Sequence, residues 1–157
     1  MDASTPCYTS SRVARALGLD RRQFHALRAA GRGAHAIPPR SGHGTRDRRW
    51  SLLDAARFAV LASLAPPSRR ATCQLPVSRR REVFAALEDS VLAEAARGSP
   101  WWLVVPLDGT GRAGSPRVEP GRRPLVAAPA AMVVDVTAVI GRVLVALQLD
   151  AREPRGE

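Results

Sequence analysis

The chain has 157 residues, 45% of them apolar, and a formal net charge of +10 from 24 bases against 14 acids. That length holds one modest domain or two small ones, with enough apolar content for a packed core. Two cysteines, Cys7 and Cys73, exclude a disulfide framework, and with no His or Cys at ligand spacing nearby they exclude a zinc site.

No apolar run reaches the roughly 20 residues a membrane span needs, and MDASTP at the start is polar, with no apolar core of a secretory signal. The expectation is a soluble, cytoplasmic protein. All 24 bases are arginine, which coding bias alone can produce, so their placement informs more than their total. Residues 1–64 hold 11 arginines against 4 acids and residues 65–157 hold 13 against 10. That imbalance suits a phosphate-facing surface in the first half.

Taken in order, the first predicted helix is capped by Thr9 or Ser10 and runs to about Ala16, with Val13, Ala14 and Leu17 inward. Gly18 supplies a turn conformation that a β-carbon disfavours. Leu19 sits at the bend and Asp20 is a natural N-cap for a second helix from Arg21 to about Arg28. Phe24 and Leu27 fall on one side of that helix, leaving Arg21, Arg22, Gln23, His25 and Arg28 on the remaining arc. Next comes IPPRSGHGTRDRRW. Ile37-Pro38-Pro39 is incompatible with a helix, Ser41-Gly42-His43-Gly44 is turn material, and Arg40, Arg46, Arg48 and Arg49 make the segment basic. Phosphate contact is one reading of these arginines. A solvated, merely charged loop is another, and a nucleotide cradle a third, although no GxxxxGK[ST] pattern is present. Trp50 reads as a lid on a small core. Ser51 with Asp54 at capping-box spacing opens a third helix, with Leu53, Ala56, Val60, Leu61 and Leu64 inward and Arg57 and Ser63 outward.

YTSSRVARALGLDRRQFHAL, a Gly-containing loop and RRWSLLDAARF together resemble the winged-helix DNA-binding head of the MerR family and its excisionase-like relatives, over roughly residues 8–64. The resemblance implies that the second helix enters the major groove with Arg21, Arg22, Gln23 and His25. It also implies that Arg46, Arg48 and Arg49 form a backbone-touching wing, and that Phe24, Leu27 and Trp50 are packing residues. Two features depart from that pattern: the loop 29–45 is not a simple passage from helix to wing, and no long dimerising helix follows at once.

Beyond residue 64, Ala65-Pro66-Pro67-Ser68-Arg69-Arg70 reads as a linker that Leu75-Pro76-Val77 continues. A fourth helix is predicted over 79–97, capped by Ser78, with Phe84, Leu87, Val91 and Ala95 on one face. Trp101 to Val105 reads as a strand, 106–124 as a long Gly-, Pro- and Arg-rich loop, and 125–136 as one or two strands broken near Pro129. Thr137 is the expected cap of a last helix that is apolar around most of its circumference, which suggests dimerisation through Ile140 and Leu144. Trp101 and Trp102 face opposite sides of their strand, so one enters the core while the other meets a partner, a ligand or a covering helix.

The expected fold class is α+β: a winged helix-turn-helix over 1–65, a linker over 66–78, a helix plus small α+β module with two or three strands over 79–150, and a frayed tail over 151–157. His25, His35 and His43 accompany no HExxH or nucleophile elbow, and Asp108, Glu119 and Asp135 form no interpretable catalytic pattern. Neither catalysis nor a cofactor or metal is expected. The functional expectation is a sequence-specific, double-stranded-DNA-binding transcriptional regulator, homodimeric and nucleoid-associated, with a possible protein or small-molecule effector. Arginines of the second helix and wing would fix phosphates, while one or two of Arg22, Gln23 and His25 would read base edges. An excisionase-like architectural protein and a protein-interaction adaptor that has lost DNA contact remain the alternatives.

Overall fold

The computed structural model describes residue 5 and residues 7–29, 49–64, 75–125 and 130–150. Within them the order is β1 (Tyr8–Thr9), α1 (Ser10–Ala16), α2 (Arg21–Ala29), β2 (Arg49–Trp50), α3 (Leu52–Ser63), α4 (Val77–Ala86), α5 (Asp89–Ala96), β3 (Trp101–Pro106), β4 (Arg117–Pro120), β5 (Ala131–Asp135) and α6 (Val136–Asp150). Helices are mixed with two small antiparallel sheets, an α+β arrangement: β1 pairs with β2, and β3 lies between β4 and β5.

One continuous apolar cluster runs from Val13, Phe24 and Trp50 through Leu92 and Leu103 to Ile140 and Leu147. The two halves expected as separate domains therefore share a core. Leu75, expected in the linker, is 2% exposed and joins that core, and α4 already includes Val77 and Ser78. Residues 65–74 and the tail 151–157 lie outside the described residues.

The last helix, α6, holds the halves together by packing against α1, α3, α5 and β3. Val136, Val139, Ile140, Val143 and Leu147 are buried, the helical spacing of one wide face. The expectation that α6 offers Ile140 and Leu144 to a partner is corrected here. Ile140 is 2% exposed and Leu144 packs half-buried against the same cluster, because α1, α3, α5 and β3 cover the apolar arc. Asp135, rather than Thr137, caps the helix: its carboxylate accepts from the Ala138 amide at 2.8 Å. Thr137 instead latches helix to strand, accepting from the Trp101 amide at 3.0 Å and donating to the Ser99 carbonyl at 2.7 Å.

The single helix expected over 79–97 is two helices. Leu87 leaves helical geometry (φ −86°, ψ 68°), its side chain is fully buried, and its carbonyl accepts from Arg57 Nε at 2.9 Å. Pro76 rather than Ser78 stands at the N-cap of α4, with no side-chain cap bond. Arg57, expected outward, is an inter-helix tie whose side chain is 17% exposed; it pairs with Asp89 and lies 3.8 Å from Asp54. Arg57→Ala leaves the Leu87 carbonyl without this donor and is expected to cost about 1–3 kcal/mol, read as a lower urea midpoint at unchanged slope.

The segment expected as loop 106–124 contains β4, whose Val118 pairs with Leu103 and packs against the core. Only four residues long and ending in Pro120, it has the short, proline-marked form of an edge strand. Preceding it, Asp108 organises a tight turn. Its carboxylate accepts from the Thr110 hydroxyl at 2.7 Å and from the Arg112 and Thr110 amides, each at 2.8 Å, which hold it below the usual carboxylate range. A carboxyl depressed in the folded chain contributes above its unfolded value and ceases to contribute as pH falls through the folded one. The Thr110 and Arg112 amides are therefore expected to lose exchange protection on acidification, while those of β3 keep theirs.

Candidate functional site

The candidate site is built on α1 and α2. Thr9 caps α1, its hydroxyl accepting from the Arg12 amide at 3.3 Å. The helix closes on Gly18, at φ +64°, with Gly18 N–H to Arg15 carbonyl at 2.9 Å and Leu19 N–H to Ala14 carbonyl at 3.0 Å. This paired closure needs a residue in the left-handed region, where glycine carries no penalty. A β-carbon at Gly18 would meet nothing within 4 Å. Gly18→Ala is therefore expected to cost only the backbone term, about 1 kcal/mol, measurable by thermal or urea unfolding.

Asp20 then opens α2 with a reciprocal cap. Its carboxylate accepts from the Gln23 amide at 2.7 Å, and its own N–H donates to Gln23 Oε1 at 3.0 Å. Gln23, expected in the groove-facing set, is half-buried and committed to this cap. The D-x-x-Q spacing that announces it is visible in the sequence.

Below α2, Phe24, Trp50 and Phe58 form an aromatic triangle with ring centroids 5.0, 5.3 and 5.6 Å apart. Each is at most 2% exposed. Val13 and Leu27 are buried beside them and Leu17 packs half-buried at the edge. Phe58, unassigned in the sequence reading, is the centre of this group. Trp50 Nε1 donates to Ser10 Oγ at 2.9 Å, so its polar edge is satisfied while its rings stay covered. On β1 and α1, the Arg12 guanidinium stacks 5.1 Å over the Tyr8 ring and donates to the Leu147 carbonyl in α6 at 2.6 Å. Burial, and then the adjacent Cys7, push the Tyr8 phenol above its ordinary value, with Arg12 pulling the other way.

Above this base α2 turns Arg21, Arg22 and His25 to solvent. No acid occurs within Arg21–Ala29. The two arginines occupy the first two positions of the helix, where its macrodipole is positive and bases are disfavoured. By contrast α3 and α5 carry Asp54 and Asp89 in their first turns. Arg49 is exposed on β2, its Nη1 reaching the Cys7 carbonyl at 3.5 Å. The side chain of Arg28, and Arg40, Arg46, Arg48, His35, His43 and Cys73 entirely, lie outside the described residues.

Trp101 and Trp102 are far from this surface in role as well as in sequence. Trp101 packs against the core and its Nε1 donates to Glu94 at 3.1 Å. Trp102 sits half-buried on the opposite face of β3, its Nε1 donating to the Gly121 carbonyl at 2.9 Å. Among the described residues no three His, Cys, Asp or Glu side chains cluster as a metal site, and no helix is long and apolar enough to cross a membrane. Comparisons with family models, curated proteins and solved structures give no match to this chain.

Proposed function

We propose that this chain is a sequence-specific, double-stranded-DNA-binding transcriptional regulator that lays α2 in the major groove. The observation that carries the reading is the surface of α2. Arg21, Arg22 and His25 are exposed on a helix that holds no acid beyond its N-cap, Asp20, and that is anchored from below by the Phe24–Trp50–Phe58 triangle. Two arginines placed against a helix dipole are a local cost that an approaching polyanion turns into a gain. The turn at Gly18 and the cap at Asp20 fix the angle at which α2 leaves α1, the requirement for presenting one helix to a groove. Arg49, with Arg46 and Arg48 of the sequence-predicted wing and Arg40 of the basic loop before it, supplies backbone contacts in this reading. The reading assigns the chain no catalytic step, and no metal or cofactor.

Titrating a mixed-sequence duplex into the isotopically labelled chain tests it. The amides of Arg21 to Arg28 are expected to shift first and furthest, and those of β3 and β5 to stay in place. Shifts centred on Trp102 and β5, with α2 unmoved, would assign the interaction to the wrong surface and end the proposal.

A further inference from the structure

The cap that opens α2 sorts its polar side chains into readers and a non-reader, and it thereby restricts the kind of duplex the helix suits. Reading adenine through Gln needs both ends of the amide, the oxygen accepting from N6 and the nitrogen donating to N7. Gln23 Oε1 already accepts from the Asp20 amide at 3.0 Å, and the Gln23 amide is held by the Asp20 carboxylate at 2.7 Å. Helical geometry agrees. At about 100° per residue, Gln23 lies roughly 40° around the helix from Leu27, on the flank of the buried side. Arg22 lies opposite the midpoint of Phe24 and Leu27, and His25 is about 60° from Arg22. Both are exposed, as is Arg21, one turn below His25.

The exposed set is thus rich in donors. Arginine has five N–H groups and no acceptor, and the base edge that answers two parallel donors in the major groove is guanine, through O6 and N7. We propose that the base-reading set of α2 is Arg21, Arg22 and His25, that Gln23 is a positioning residue that sets the start of the helix, and that the preferred partner is duplex DNA with guanines at the positions α2 faces. This inference rests on the DNA-binding reading above and deepens it by assigning the base class.

The test is a selection from a randomised duplex library with the wild-type chain, followed by affinity measurements on the enriched duplex. Expected are one or more strongly specified guanines. Replacing each in turn by 7-deazaguanine, which removes the N7 acceptor and keeps Watson–Crick pairing, should weaken binding at least tenfold at one position. The same replacement should weaken Arg22→Ala by less than threefold, since the partner is already gone. Gln23→Ala should select the same motif. Gln23→Glu, which retains the cap chemistry, should also select it even if Gln23→Ala loosens the helix. A motif that changes base identity in both Gln23 variants overturns the assignment and leaves DNA binding standing. So does a duplex indifferent to 7-deazaguanine. Absence of any duplex binding by the wild-type chain overturns both readings.

Discussion

Phe58→Ala is expected to lower the unfolding free energy by about 3–5 kcal/mol, a large share of the roughly 5–15 kcal/mol available to a domain of this size. Phe58 is 0% exposed and touches Phe24 at 5.0 Å and Trp50 at 5.3 Å between ring centroids. Truncation removes the largest side chain α3 contributes, leaves a cavity beneath α2, and loses two aromatic contacts worth about 0.5–1.5 kcal/mol each beyond area burial. Those two contacts join α3 to both α2 and β2, so the loss extends beyond one helix. Urea unfolding at unchanged slope measures the effect. A loss under about 1 kcal/mol would show that the triangle is not the base on which α2 stands.

Replacing Arg21 and Arg22 together by alanine is expected to move binding and stability in opposite directions. Duplex affinity should fall about 100-fold at moderate salt, since each arginine contact is worth about 1–3 kcal/mol. The unfolding free energy should hold or rise by a few tenths of a kcal/mol, because both charges oppose the dipole of α2 and alanine is the better helix former. Both side chains are exposed on a helix whose anchoring residues, Phe24 and Leu27, are left untouched. A packing residue would lose stability first and binding as a consequence. Falling affinity on an undiminished fold separates a contact residue from a structural one, and unchanged affinity would remove Arg21 and Arg22 from the interface.

What the sequence made legible was local chemistry. Gly18, Asp20 and the Ser51–Asp54 box each act within a few residues and stand where the sequence placed them, and of the two caps offered for α1, Thr9 and Ser10, Thr9 is the one used. Gln23 is equally local, yet its place on the helical arc and the resemblance point it at the groove, while its D-x-x-Q spacing from Asp20 commits it to the cap. The features that escaped depend on distant partners. Phe58 becomes central only because Phe24 and Trp50 converge on it. The break at Leu87 is held by Arg57, 30 residues away in sequence. Val118 reads as loop until it is set beside Leu103. The apolar circumference of α6 suggested a partner subunit, because the pattern reports how much surface must be covered and not which element covers it. Here α1, α3, α5 and β3 do so within the chain.

The most direct test of the central reading is selection by the purified full chain from a randomised duplex library at two salt concentrations. The account predicts an enriched motif whose affinity falls steeply with salt, in proportion to the phosphates neutralised. A homodimer would add symmetry, with half-sites about one helical turn apart. Salt-weakened binding without a motif would contradict sequence-specific reading and favour an architectural role. Absence of binding at both salts would contradict the account outright and return attention to the sheet face that carries Trp102.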